Sequence, residues 1–405
     1  MSTSSRSAGA AADDAWDFVC PQRILFGVGR VAEAGAVAAS LGSEAWIVAG
    51  GRSAEASGGA AAVEASLRAA GLSARTVATS AGEPTVAQVA AALAALPVSG
   101  RDRAVVVAVG GGSTIDLAKA VAALATNAAG GDAEAAVIDH LEGVGRGLAI
   151  ERPPLPVVAI PTTAGTGAEA TRNAVISCPR RRFKKSLRSP LMVPRAAIVD
   201  PALTRSCDRA TTAASGLDCV TQLVESFICR FRRPLPRALV LEALPRAMAA
   251  LPRVLVDPAD LAARVAMSHA ALVSGMALTN SGLGMAHGVA AALGVECGAA
   301  HGAACALMLP VALRVNRAAA AADLAVLERA IDPRAPADEA SAADAFVARV
   351  EALCAAAGTP RRLRDVGLAA DRLGWLAANS GGASMRGNPV RLEEAALRAA
   401  LEAAW

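Results

Sequence analysis

Asp218 and Gln222 stand four residues apart in a stretch that reads as helix, so they share one face. His287 and His301 are two of only four histidines. Each is followed by glycine, and both fall in the most apolar part of the chain. A buried imidazole needs a partner and a buried carboxylate needs one more, and a single divalent ion satisfies Asp218, His287 and His301 together. The blander reading, separate core histidines bonded to backbone carbonyls, stays open at this point. His140 and His269 are assigned to it.

Two glycine-rich loops point to a second kind of chemistry. Gly110, Gly111, Gly112 and Ser113 follow an apolar run at 104–109 and precede a helical stretch at 117–125. Glycines let the backbone approach a pyrophosphate, and a helix N-terminus supplies N–H donors and a positive dipole. Asp116 follows in the same segment. The 161–169 segment again follows a strand-like run, with a helical start expected after it. It carries the hydroxyls of Thr162, Thr163 and Thr166. Two such loops at strand C-termini describe a crevice at the carboxyl edge of a sheet. Neither matches G-x-G-x-x-G, so the standard dinucleotide fingerprint is absent. Gly27 and Gly29 read as a structural turn. After the strand-like 45–49 run come Gly50, Gly51 and Arg52. A carboxylate there would repel a 2′-phosphate, whereas glycine plus arginine offers a cation and favours NADP(H) over NAD(H).

These residues need elements to hold them. In the first half, β-branched runs at 45–49, 104–109, 157–160 and 196–199 alternate with Ala-rich helical stretches at 60–70 and 86–96, which implies a parallel sheet covered on both faces. Beyond about residue 204 helical stretches take over, at 211–228, 236–250, 261–278, 318–330, 339–356 and 392–404. Residues 1–14 read as a disordered tail, 15–203 as an α/β nucleotide-binding domain and 204–405 as a helical domain holding the metal.

With 405 residues, 54% hydrophobic and 19% charged, the chain is globular in composition. A net charge of +4, no Tyr, and arginines scattered without interleaved aromatics argue against a nucleic-acid binder. The eight cysteines form no C-x-x-C pair and read as buried thiols of a reducing compartment, which with the absence of an apolar leader points to the cytoplasm. Between Arg264 and Arg314 only Glu296 is charged, but polar residues and glycines interrupt the stretch, so buried helices are expected rather than a membrane span.

The chain resembles the iron-containing (group III) alcohol dehydrogenases from about Pro21 to its C-terminus. The resemblance rests on Gly110–Ser113 with Asp116 and Lys119, Pro161 to Glu169 with Thr171, Val199-Asp200-Pro201, Gly216-Leu217-Asp218, His287, His301-Gly302, Pro310 and Gly387-Asn388-Pro389. It implies a dehydroquinate-synthase-like α/β N-terminal domain binding NAD(P), an all-α C-terminal domain holding one divalent metal, Fe or Zn, and an active site between them. Carried over by position, Gly110 to Ser113 hold the pyrophosphate, Thr162, Thr163 and Thr166 contact the nucleotide, and Asp218, Gln222, His287 and His301 fall on the four metal-ligand positions. The expected reaction is reversible hydride transfer between an alcohol and its carbonyl compound, on a small-molecule substrate. A homodimer stays open.

Two positions depart from the family. Gln222 stands where histidine is usual, which resembles a variant branch, and Ala291 stands where a further histidine is common. A Gln carbonyl is a neutral, weaker ligand than imidazole. A metal-independent reductase of the maleylacetate-reductase kind is therefore an alternative, with His287 or His301 free to donate a proton. A catalytically inactive NAD(P)-binding protein is another, and a dehydroquinate-synthase-like elimination a third. Arg172, Lys185, Arg188 and Arg386 sit in segments expected to border the cleft. A guanidinium clamps carboxylates well, so a small carbonyl compound with an acidic group is the expected substrate. Lys185 is also assigned to the cofactor.

Overall fold

Runs of Val, Ile and Ala bounded by glycine or proline build a six-stranded parallel sheet. In chain order the strands are β1 (Arg23–Phe26), β2 (Glu44–Gly50), β3 (Ser73–Ser80), β4 (Ala104–Gly110), β5 (Val157–Pro161) and, after a hairpin, β8 (Ala196–Val199). Their order across the sheet is β1-β8-β5-β4-β2-β3. The computed structural model describes residues 15–405 apart from 81, 98, 99, 129 and 130, and the side chains of 52 and 53 also lie outside the described set. The expected tail at 1–14 and the Arg52 side chain thus fall outside the described residues.

The continuous apolar run of β4 is explained by its place at the middle of the sheet. Val105, Val107 and Val109 pack with Val63 and Leu67 on one face. Val106 and Ala108 pack with Ile115 and Val121 on the other. The run shows no polar–apolar alternation because both faces are dry. β1 and β3, which the hydrophobic pattern does not mark, are the two edge strands. β3 reads Ser-Ala-Arg-Thr-Val-Ala-Thr-Ser and is mostly exposed along its first half. An edge strand has one neighbour and needs little apolar surface.

The strand order reverses between β2 and β4, and the crevice expected there opens at their carboxyl ends, where Gly50 closes β2 and Gly110 closes β4. Gly110 is in register with Pro161 of β5, which brings the two glycine loops side by side. The helix after β4 runs Gly112–Asn127, so it starts five residues earlier than its apolar pattern indicates. The 161–169 loop opens no helix. It passes through a single 3-10 turn, Ala168–Ala170, into an antiparallel hairpin of β6 (Asn173–Cys178) and β7 (Phe183–Arg188).

The second half is helical. The Arg209–Ile228 helix is capped by Asp208 accepting from the Thr211 N–H, and it packs with Pro234–Val256, Leu261–Asn280 and Glu339–Ala357 around one core. Met285–Cys297 and His301–Asn316 join Leu373–Asn379 and Glu394–Ala404 in another. Among the described residues one helix, Leu261–Asn280, is long and apolar enough to cross a membrane, and 61% of its apolar window is buried within the protein. The two halves meet at a glycine pair. A Cβ at Gly275 would lie 2.2 Å from the Gly167 carbonyl oxygen, and Gly167 itself has φ +60°. No larger residue fits at either position without moving backbone. Lys119, fully buried, ties the glycine loops together: it pairs with Asp116 at 3.0 Å and donates to Thr171 Oγ1 and the Ala168 carbonyl.

Candidate active site

Between the sheet's carboxyl edge and the helical half lies an open cleft. One end is the start of the Gly112–Asn127 helix, where Gly112, Ser113 and Asp116 line the wall with Thr166. Among the described residues no side chain caps this helix, so the N–H groups of Gly112 and Ser113 are available at the cleft. The two loops touch: a Cβ at Gly112 would come within 2.4 Å of Thr166 Oγ1. A phosphate fits such an end, by dipole and by donors.

The remaining nucleotide candidates divide. Asp116 is committed on both oxygens, to Lys119 and to the Val175 N–H, and so shapes the wall as much as it faces a ligand. Thr162 is fully buried, with its N–H bonded to the Gly110 carbonyl. A Cβ at Gly111 would lie 3.4 Å from the Thr163 methyl group. The hairpin contributes alternate residues of β7, Lys184, Ser186 and Arg188. Lys185, expected at the cofactor, is offset by one from that face, because a strand alternates its side chains. Arg386 sits apart, in a second cavity with Arg230 and Arg391. Gly387, Asn388 and Pro389 have a structural role: Asn388 accepts from the Met285 N–H and exchanges hydrogen bonds with Asn316.

The other end of the cleft holds Asp218, Gln222, His287 and His301, with Ala291 beside them. Asp218 and His287 are buried, and His301 keeps 32% of its side chain exposed. Asp218 Oδ1 lies 3.3 Å from His287 Nε2 and 3.8 Å from His301 Nε2. Oδ1 and His287 Nε2 have no hydrogen-bond partner among the described residues. Buried polar atoms are almost always satisfied, so two unpaired ones converging on one point call for a cation. Asp218, His287, His301 and Cys305 offer ligand atoms all within 4.8 Å of one another, and this donor set fits a divalent metal.

Gln222 is present but turned. Its amide nitrogen donates to Asp218 Oδ2 at 3.0 Å, and its oxygen accepts from Ser274 Oγ at 2.7 Å. As placed, it steadies Asp218 and offers the site no lone pair. Glu225, which the sequence reading passes over, lies on the same helix face seven residues after Asp218. Glu225 accepts from His287 Nδ1 at 2.7 Å and from the Ala286 N–H at 2.7 Å. That fixes the proton on Nδ1 and aims the Nε2 lone pair at Asp218.

Burial alone would depress the His287 imidazolium, but without a metal the carboxylates of Asp218 and Glu225 hold its pKa well above the ordinary histidine value, and a divalent ion would take the place of the proton on Nε2. His301 is pushed down to about 4 by loss of water around the ring, with Lys184 and His287 adding to it against Asp218. Burial pushes the Cys305 thiol up to about 12. The remaining histidines lie elsewhere. His140 bonds the Ala136 carbonyl, as a core histidine does. His269 differs from expectation: it is partly exposed and bonds the Glu242 carboxylate. All eight cysteines are free, but Cys20 is exposed and Cys207 and Cys297 are half-buried, so they are not uniformly core thiols.

Glu169, in the loop beneath the cleft, is 3% exposed. Burial raises its carboxyl from 4.5 to about 7 against the opposing pull of Lys119. The folded chain therefore binds an extra proton between these pH values, and stability falls as pH rises from about 4.5 to 7 and stays lower above. Glu169→Gln is expected to stabilise the protein at pH 8, by roughly 3 kcal/mol at about 1.4 kcal/mol per pKa unit, and to have much less effect at pH 5. Urea denaturation at the two pH values reads the difference, and equal effects at both would contradict it.

Residues 21–201 match the family described as iron-containing alcohol dehydrogenase, and residues 212–405 match the C-terminal domain of the Fe-containing alcohol dehydrogenase family. The "Probable alcohol dehydrogenase EutG" of Escherichia coli K12 is 35% identical over 309 residues, 76% of this chain and 74% of that protein. Lactaldehyde reductase of E. coli K12 is 33% identical over 70% of this chain and 72% of its own length. Among solved structures, 1,3-propanediol oxidoreductase superposes with a TM-score of 0.86 at 27% identity, covering 96% of this chain and 100% of that one. Sulfoacetaldehyde reductase from Bifidobacterium kashiwanohense, in complex with NAD+, superposes with a TM-score of 0.82 at 27% identity, covering 96% and 98%.

Proposed function

The chain belongs to the iron-containing alcohol dehydrogenase family, oxidoreductases acting on CH–OH groups, and from that premise we propose that it is a metal-dependent enzyme that reduces a small aldehyde or ketone carrying an acidic group, with NADPH as the preferred donor. The observation that carries this reading is the cleft itself. An uncapped helix start lies at one end, unpaired Asp218 Oδ1 and His287 Nε2 lie at the other, and Lys184 and Arg188 are in the wall.

When bound, the nicotinamide cofactor supplies the hydride, and a divalent ion, Fe or Zn, supplies Lewis acidity toward the carbonyl oxygen. The protein's own part is placement. The backbone N–H groups of Gly112 and Ser113 hold the pyrophosphate. Asp218, His287 and His301 hold the metal, with Glu225 fixing the His287 ring and Gln222 steadying the second oxygen of Asp218. Lys184 and Arg188 face the substrate's acidic end. They are paired with Glu83 and Glu142, so the net field they offer is modest and their geometry decides. The likeness to a sulfoacetaldehyde reductase, whose named substrate bears a sulfonate, supports the same direction.

The test is kcat/KM for matched pairs, a semialdehyde acid against the uncharged aldehyde of equal length. One charge-assisted contact contributes about 1.5–3 kcal/mol, so the acid should be favoured by roughly tenfold or more. Arg188→Ala should erase most of that preference. Equal efficiency for both members, unchanged by the substitution, would make the enzyme a general aldehyde reductase.

The cofactor preference is read in the same assay. NADPH is expected to exceed NADH in kcat/KM by roughly tenfold, with Arg52→Ala levelling the two. A clear preference for NADH that Arg52→Ala leaves untouched would refute it.

A further inference from the structure

The family register puts Gln222 on the fourth ligand position, yet its amide presents N–H to Asp218 and spends its oxygen on Ser274. Another side chain occupies the remaining side of the site. Cys305 is one helical turn after His301 on the His301–Asn316 helix, so the two share a face. Its Sγ lies 3.7 Å from His301 Nε2, and it is fully buried. Gly302, between them, makes the approach possible: a Cβ there would meet the Ala214 carbonyl oxygen at 2.4 Å, so glycine lets this helix close onto the Arg209–Ile228 helix that carries Asp218.

The spacing of the four atoms approaches that of a ligand shell, all lying within 4.8 Å of one another. Donors held about 2.0–2.3 Å from a tetrahedral ion stand roughly 3.3–3.6 Å from one another. Here the separations are 3.3 Å for His287 to Asp218, 3.8 Å for His301 to Asp218 and 3.7 Å for Cys305 to His301. Asp218 Oδ1 and His287 Nε2, on buried side chains, have no hydrogen-bond partner among the described residues.

We infer that Cys305, and not Gln222, is the fourth protein ligand of the metal, giving an Asp-His-His-Cys site. The inference rests on the metal reading proposed above. On binding, the Cys305 S–H loses its proton to solvent as the sulfur–metal bond forms, and no electron is transferred. A thiolate in the set shifts preference from iron toward zinc, since sulfur with imidazole suits zinc and carboxylate-rich sets suit harder ions. Gln222 is then a positioning residue that holds Asp218 through its Oδ2.

Cobalt(II) loading of the full chain tests this without reference to activity. Wild type, Cys305→Ala, Cys305→Ser and Gln222→Ala are loaded with excess Co²⁺. Uptake is measured by elemental analysis, and folding is checked by circular dichroism. Wild type is expected to take up one cobalt and show a near-ultraviolet sulfur-to-cobalt charge-transfer band. Both Cys305 variants should lose that band while keeping the visible cobalt bands, with affinity lower by at least about tenfold. Gln222→Ala should keep the band. A loaded wild type with no such band, or a band unchanged in both folded Cys305 variants, overturns Cys305 as ligand and leaves the metal reading standing. A wild type that takes up no cobalt overturns the metal reading, and this inference with it.

Discussion

His287→Ala is expected to lose bound metal and catalytic activity together. Its Nε2 lies 3.3 Å from Asp218 Oδ1, and both atoms are unpaired in a buried setting. Removing the imidazole leaves Asp218 as a buried carboxylate with one fewer neutral donor, so the cation is held by too few groups. Lewis-acid stabilisation contributes several kcal/mol to carbonyl reduction. At about 1.4 kcal/mol per decade, its loss lowers kcat by roughly a thousandfold or more. The check is metal content and aldehyde reduction on the same preparation. A variant that keeps the metal but loses activity would make His287 a proton donor and not a ligand. One that loses the metal and stays active would remove the metal from the chemistry.

Glu225→Ala carries the second large effect, although Glu225 faces no ligand. The carboxylate accepts from His287 Nδ1 and the Ala286 N–H, and more weakly from the His287 N–H, all in a buried environment. Truncation leaves those donors unpaired at about 1–3 kcal/mol each. It also frees the His287 ring to rotate and to change tautomer. The expected results are a stability loss of roughly 3 kcal/mol or more measured on chelated protein and a metal affinity lower by about 10–100-fold. Glu225→Gln keeps one acceptor and should recover part of both. Unchanged metal affinity in Glu225→Ala, at whatever stability, would show that His287 needs no such positioning.

The sequence made some of these residues legible and hid others, for physical reasons. Asp218, His287 and His301 stand out because charge and imidazole are costly in an apolar chain. β4 and β5 stand out because a strand dry on both faces is a continuous apolar run. Glu225 hides because a glutamate in a helix is ordinarily solvated, and its burial becomes visible only when the Met285–Cys297 helix is seen to start on it. Cys305 hides because a lone cysteine in an apolar helix reads as core. The β6–β7 hairpin hides because its residues are half-exposed and polar, and this costs the site reading one residue in register, Lys184 for Lys185. Gly112 and Ser113 read as loop because glycine is a poor helix former, yet they open the helix, where tight packing against Thr166 requires glycine.

The most direct test of a metal-dependent reductase is elemental analysis of wild-type protein purified without chelator, run beside aldehyde reduction before and after chelator treatment. The expected result is one equivalent of divalent metal per chain, with activity lost on chelation and restored by adding the ion back. Wild type that is fully active, free of metal and indifferent to chelator would contradict the metal centre and leave a metal-independent reductase in the same cleft.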